Sequence, residues 1–148
     1  MKLNLGCSDD VRPGWVNVDR CPPADQIVDL EGPWPWPDSS VDEILAQDVI
    51  EHLRDKIHTM NELWRVLRPS GHVTIGVPTT DGCGAFQDPT HVSYWNHRSF
   101  LYYEKGCPYR ERFAKAYGIV AAFHTVSESL VQTRLDGPKL TIVLEAVK

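Results

Sequence analysis

Residues 41–78 restrict the fold more than any other stretch. Val41–Ala46 reads as a strand. Between Asp55 and Leu67, the residues Ile57, Met60, Leu63, Trp64 and Leu67 recur at helical spacing on one face. Pro69 and Gly71 stop that helix, and His72–Val77 then alternates as a strand ended by Pro78. Two strands joined through a single helix call for a crossover connection, which pairs them in parallel. Shorter strands are expected upstream at Lys2–Leu5, Trp15–Asp19 and Ile27–Leu30. There is no room for a helix between Gly6 and Trp15, or between Asp19 and Ile27. Five prolines (Pro22, Pro23, Pro33, Pro35 and Pro37) fall within sixteen residues and exclude much helix there as well. Downstream, Thr79–His97 is a long polar and aromatic segment, with short helices expected at Ser99–Lys105 and Tyr109–Tyr117. Phe123–Thr133 and Leu140–Val147 read as two final strands around the turn signal Asp136-Gly137-Pro138. The expectation is a mainly parallel α/β sheet with an antiparallel C-terminal hairpin and reduced helix cover on one face.

Composition narrows the class further. At 148 residues, with 42% hydrophobic and 24% charged residues, a single globular domain over 1–148 is expected. The net charge of -5 argues against a broad nucleic-acid-binding face. No apolar run approaches the ~20 residues of a membrane span, and Met1–Gly6 lacks the apolar core of a secretion signal. Cys7, Cys21, Cys83 and Cys107 form no CxxC pair, so reduced thiols in a cytoplasmic protein are expected, with no structural metal.

Four segments carry a resemblance. Leu3-Asn4-Leu5-Gly6-Cys7-Ser8 runs a strand into a glycine turn, Trp15–Asp19 ends a strand in an acid, and Val28-Asp29-Leu30 precedes Trp34-Pro35-Trp36-Pro37-Asp38-Ser39-Ser40-Val41-Asp42. The fourth, Gln47-Asp48-Val49-Ile50-Glu51-His52-Leu53, is followed by Glu62, Arg65-Val66-Leu67-Arg68-Pro69 and Gly71. Together, from Leu3 to Pro78, they resemble the class I S-adenosylmethionine-dependent methyltransferases, especially the small-molecule type. The resemblance implies a Rossmann-like fold and S-adenosylmethionine as cofactor. It places Gly6 at the first glycine of the turn, with Asn4 in place of its acid, Ser8 of its second glycine and Asp10 of its third. It puts Asp19 on the ribose hydroxyls, Asp29 and Leu30 at the adenine, and Gln47 and Asp48 beside the cofactor after strand four. Ser70 stands where the family usually has glycine. Trp34 and Trp36 read better as core cover. The family usually has a helical segment before strand one; none is expected here, so the pocket is expected to be open, or covered by Asp81–Tyr103 or a second subunit.

Methyl transfer is an in-line displacement that mainly needs alignment of the nucleophile and exclusion of water. A base is needed only where the nucleophile carries a proton. His52, just after strand four, and His91, after strand five, are the catalytic candidates; Asp88, Tyr94, Trp95 and His97 share the same segment. Asp88, His91 and His97 have the ligand types for a metal but not a recognised spacing, and no metal is expected. The Asp/Asn-Pro-Pro-Tyr/Phe marker of base-amino methylases is absent after strand four, and so is a Pro-Cys nucleophile. No helix start follows Gly6 to hold a dinucleotide pyrophosphate. The expected function is methyl transfer to a small-molecule or sugar-like acceptor, with no nucleic-acid or membrane partner and a homodimer left open. The alternative is a catalytically inactive relative serving as a scaffold or partner subunit.

Overall fold

The computed structural model describes residues 1–135 and 137–148. Seven strands form one sheet: β1 Lys2–Leu5, β2 Val16–Asp19, β3 Gln26–Ile27, β4 Val41–Gln47, β5 Leu67–Pro78, β6 Phe123–Thr133 and β7 Gly137–Ala146. Their order across the sheet is β3-β2-β1-β4-β5-β7-β6. The first five are parallel, while β7 pairs antiparallel with both β5 and β6. This is the Rossmann-like α/β arrangement with an antiparallel terminal hairpin. Of the hairpin's expected turn, Asp136 lies outside the described residues, and Gly137 opens β7.

The chain lays down β1, β2 and β3 outward in one direction, then returns to place β4 on the other side of β1. The strand order therefore reverses between β1 and β4, the point where open α/β sheets bind ligands at their carboxyl ends. Leu3 and Leu5 pair with Val16 and Val18 on one side and with Ile44 and Ala46 on the other. Leu3, Val18, Ile44 and Ala46 are fully buried.

Helix α1 (Lys56–Val66) makes the crossover. The Asp55 carboxylate caps it, accepting from the Ile57 and His58 amides at 2.9 Å each. Met60, Leu63 and Val66 bury its apolar face completely. β5 starts at Leu67, five residues earlier than the alternation from His72 suggests, because Leu67 pairs directly with Val41 and both are fully buried. Between them the register shifts, and Ser70 takes φ +58°. Glycine is the usual residue at that place in the family, so serine here holds a glycine-like conformation.

No helix separates β1 from β2 or β2 from β3. The proline-rich loop instead folds its indoles inward: Trp34 and Trp36 are 4% and 5% exposed, with ring centroids 5.6 Å apart edge to face. Arg65 of α1 pins that loop by donating to Glu62 (2.6 and 2.8 Å), Asp38 (2.6 Å) and the carbonyls of Trp36 (2.9 Å) and Trp34 (3.2 Å). The third strand is shorter than expected, ending at Ile27, because Leu30 turns inward to bury while Asp29 accepts from the Glu31 amide and closes a turn. Helix α2 (Gly84–Gln87) lies within the segment read as irregular. Helix α3 (His97–Phe100) replaces the helix expected at Ser99–Lys105, because Asn96 and Ser99 form a reciprocal cap that starts it earlier. Helix α4 (Pro108–Tyr117) ends at Gly118.

The left-handed region costs a non-glycine residue about 1–2 kcal/mol, against about 0.5–1 kcal/mol for the extra freedom of glycine in the unfolded chain. Ser70→Gly is therefore expected to raise unfolding stability by about 0.5–1 kcal/mol. Urea denaturation with an unchanged slope checks it; a lower midpoint contradicts it.

Candidate functional site

The carboxyl ends of β1, β2 and β4 place Gly6, Asp19 and Asp48 around one crevice of about 230 Å³. Gly6 takes φ +62°, and a Cβ there would lie 2.6 Å from Val49 Cγ2 and 2.7 Å from its Cβ. Both the backbone conformation and the close approach exclude a larger residue. The turn continues through Ser8 at φ +43°, again where the family pattern has glycine. The Ser8 amide donates to Asp19 Oδ2 at 2.9 Å, and the Arg20 amide to Asp19 Oδ1 at 2.6 Å. The carboxylate is thereby held rigidly while each oxygen keeps acceptor capacity toward the crevice.

The other cofactor candidates divide between two neighbouring clefts. Leu30 lines the same crevice as Gly6, Asp19 and Asp48. Asn4 and Gln47 line an adjoining cleft with Gly6 and Asp48. Asn4 is 3% exposed, and its amide donates to the Asp10 carbonyl (2.7 Å) and Asn17 Oδ1 (3.1 Å). It braces the glycine turn from beneath. Asp29 stands outside both linings, its carboxyl held below the usual range by the Glu31 amide and by Arg20 at 3.1 Å.

A third cleft shares Asp48 and His52 with the first and adds Glu51 and His91. A 3-10 turn, Ile50–His52, follows β4. The Glu51 carbonyl accepts from the amides of Val92 and Ser93 at 2.9 and 3.0 Å, and Ser93 Oγ donates to the Ile50 carbonyl at 2.9 Å. These bonds bring His91 onto the turn. The two imidazole centroids lie 4.8 Å apart, edge to face. His91 Nδ1 is 3.1 Å from the Ala85 carbonyl, and His52 Nδ1 is 3.2 Å from the Thr90 carbonyl. A carbonyl only accepts, so each Nδ1 carries the proton and each neutral ring keeps its lone pair on Nε2. Thr90 Oγ, 3.1 Å from His52 Nδ1, donates to Asp88 Oδ1 at 2.6 Å and so accepts from His52 too. The Asp88 carboxyl is held low by the Thr90 hydroxyl and amide.

Glu51 was not anticipated as a site residue. Its side chain is 2% exposed, and neither oxygen has a hydrogen-bond partner among the described residues. Burial pushes its carboxyl up to about 7; its own backbone N–H tempers the rise without meeting hydrogen-bond geometry, Asp48 and Asp88 add to it, and Lys139 opposes it. One coordinating atom from each of Glu51, His52 and His91 lies within 4.8 Å of the others. The sequence set it apart only as the acid beside His52. His97 is not in this group: it pairs with Glu128 at 2.7 Å. Trp95 is core, 1% exposed and stacked on Phe100.

A wider cleft, about 570 Å³, is lined by Lys56, Trp95, Tyr102 and Tyr117. Lys56 sits 4.5 Å over the Trp95 ring and donates to the Tyr94 carbonyl, and burial lowers its pKa. It gathers none of the strand-end carboxylates.

A reversal of strand order with a glycine turn and a strand-end acid defines a Rossmann-like α/β protein with a nucleoside-type crevice, distinguished by an antiparallel seventh strand. Residues 17–75 match a family model described as a methyltransferase domain. A curated "probable S-adenosylmethionine-dependent methyltransferase" of Mycolicibacterium smegmatis is 46% identical over 44 residues, 30% of this chain and 17% of that protein. The chain thus spans about a sixth of the length of that relative. Among solved structures, the N-methyltransferase NodS of Bradyrhizobium japonicum superposes with a TM-score of 0.68 (14% identity, covering 99% of this chain and 85% of that one). A 1,6-didemethyltoxoflavin-N1-methyltransferase of Burkholderia thailandensis gives 0.65 (13%, 99% and 71%). A chain from the complex of the Haloferax volcanii Trm112 methyltransferase activator gives 0.66 (17%, 99% and 82%). Fold, crevice and the partial family match together support the resemblance to the class I S-adenosylmethionine-dependent methyltransferases. The scaffold alternative is not favoured by these matches.

Gly6→Ala would add an overlap with Val49 to a conformation costing about 1–2 kcal/mol. A loss of at least about 2 kcal/mol in chemical denaturation is expected. Wild-type stability contradicts the close approach.

Proposed function

We propose that the protein transfers a methyl group from S-adenosylmethionine to a small-molecule or sugar-like acceptor. The observation that carries this reading is the Asp19 carboxylate, fixed by two backbone amides at the end of β2, facing the crevice beside Gly6 with acceptor capacity on both oxygens. That pair of acceptor oxygens fits the two hydroxyl donors of a ribose diol. Leu30 and Val28 supply the apolar wall for an adenine, and the Asn4–Asp10 turn with Asp48 supplies carboxylates for a cationic amino-acid end. When bound, S-adenosylmethionine supplies a methyl group on a sulfonium that departs as a neutral thioether.

The chain's own task is to align the acceptor and exclude water. Asp48 and His52 line both the nucleoside crevice and the cleft that holds His91, so an acceptor there abuts the cofactor. The backbone carbonyls of Thr90 and Ala85 hold His52 and His91 with Nε2 unprotonated, so either can take a proton from a hydroxyl acceptor at that atom. The acceptor class is further supported by the toxoflavin-precursor enzyme, which acts on a small molecule on a similar fold. All four cysteines are free, which suits a reducing, cytoplasmic setting, and no helix among the described residues is long and apolar enough to cross a membrane.

Calorimetric titration with S-adenosylhomocysteine tests the reading. Wild type is expected to bind, and Asp19→Asn to bind about 10–100-fold more weakly, the loss of one charge-assisted hydrogen bond of about 1.5–3 kcal/mol. Thermal unfolding of the variant checks that it is folded. No heat from wild type at millimolar ligand, or equal affinity in the folded variant, overturns it.

A further inference from the structure

We propose that Glu51, His52 and His91 bind a divalent first-row transition metal ion, and that its open positions receive an oxygen atom of the methyl acceptor. The identity of that occupant rests on the methyltransferase reading; the metal site does not.

The first ground is the orphaned carboxylate. A buried carboxyl with no partner on either oxygen costs about 1–3 kcal/mol or more in a folded protein, and native structures almost always satisfy such groups. The amides of Val92 and Ser93 donate to the Glu51 backbone carbonyl and fix its main chain in the turn, and the side chain is buried from there. A bound cation resolves the orphan.

The second ground is the histidine geometry. Metal-binding imidazoles generally donate their other ring N–H to a carbonyl or a carboxylate-linked group, which fixes the tautomer and the ring plane. Both histidines do so here, His91 to the Ala85 carbonyl and His52 to the Thr90 carbonyl and the Thr90 hydroxyl, itself bonded to Asp88. Each ring in its neutral form thus keeps an Nε2 lone pair for a ligand bond, and one ring nitrogen of each histidine lies near the Glu51 carboxylate. The ligand atoms lie within 4.8 Å of each other; around an ion at roughly 2.0–2.2 Å they would close to about 3–3.5 Å, so each side chain moves by less than about 1 Å.

The donor set selects the ion. Two imidazoles and a carboxylate suit manganese, iron, cobalt, nickel or zinc, whereas calcium and magnesium take oxygen ligands. Three protein ligands leave positions open, as in catalytic rather than structural sites. Asp48 and Asp88 face the same cleft and favour a cation, and Lys139, paired with Asp48, opposes it. The position adjoins the nucleoside crevice through Asp48 and His52. An acceptor held there presents a hydroxyl, or a pair of adjacent hydroxyls, to the metal. With the ion bound, both Nε2 lone pairs are ligands and neither histidine acts as the base; coordination lowers the hydroxyl's pKa so that its proton passes to solvent water. The oxygen's electron pair then forms the new O–C bond while the C–S bond breaks and sulfur keeps that pair, leaving a methyl ether and a neutral thioether.

The test is titration of the metal-free full chain with Co²⁺, followed by the visible d–d bands. The expected result is saturation at one ion per chain. Affinity should fall at least 100-fold in each of His52→Ala and His91→Ala, and the saturable bands should be lost in Glu51→Gln. Glu51→Gln removes the buried charge, so its metal-free form should melt at or above wild type, which separates ligand loss from unfolding. Adding catechol as a diol probe should shift the wild-type bands. Absence of saturable bands, or bands that survive Glu51→Gln, overturns the site. Bands that do not shift with catechol overturn the assignment of the occupant. Calorimetry with S-adenosylhomocysteine keeps the two readings apart: metal binding without nucleoside binding defeats the function and leaves the site, and the converse does the opposite.

Discussion

The structure depends on the parallel pairing of β1 on both of its edges. Only four residues long, β1 is sandwiched between β2 and β4 and carries buried leucines at Leu3 and Leu5. Because the chain departs from β1 in one direction and returns on the other side, the loops that leave β1 and β4 diverge at their carboxyl ends. That divergence opens the crevice. Gly6 lets the first loop turn sharply against Val49 of the second, and Asp19 is locked across the same gap by the Ser8 amide. Loss of either pairing removes both the core and the site.

A second consequence concerns economy of helices. The loops after β1 and β2 have no helices to cover the sheet, and indoles and an arginine do that work instead. Trp34 and Trp36 fill the layer, and the planar guanidinium of Arg65 ties two carboxylates and two carbonyls into one plate. The crossover helix therefore braces the early loops as well as joining β4 to β5. Farther along, the amides of Val92 and Ser93 tie the segment after β5 to the turn after β4, which sets His91 against His52.

Much of this was legible in the residues. Helix α1 declared itself through its apolar spacing, and the parallel sheet followed from the two strands it joins. Gly6, Asp19 and Asp48 could be placed because each stands at or just past the end of a strand. Boundaries were less legible where tertiary contact overrides local signal: β5 reaches back to Leu67 because of Val41, and Leu30 leaves its strand to bury. Ser8 and Ser70 looked like departures from a glycine pattern, yet both keep left-handed backbones, so the conformation persists where the residue does not. Glu51 was invisible as a site residue because its significance lies in burial without a partner. Asp29, an acid in a suitable sequence position, stands outside the crevice lining, with its Oδ1 accepting from the Glu31 amide and Arg20.

On the proposed function, the reversal between β1 and β4 holds the nucleoside and the neighbouring cleft at His52 and His91 holds the acceptor. A crystal structure of the full chain with S-adenosylhomocysteine tests it most directly. The expected density has the ribose hydroxyls on Asp19, the adenine against Leu30, and the thioether sulfur facing the His52–His91 cleft. Density for the nucleoside in the aromatic cleft between Lys56 and Tyr117, or a sulfur turned away from His52, would contradict it.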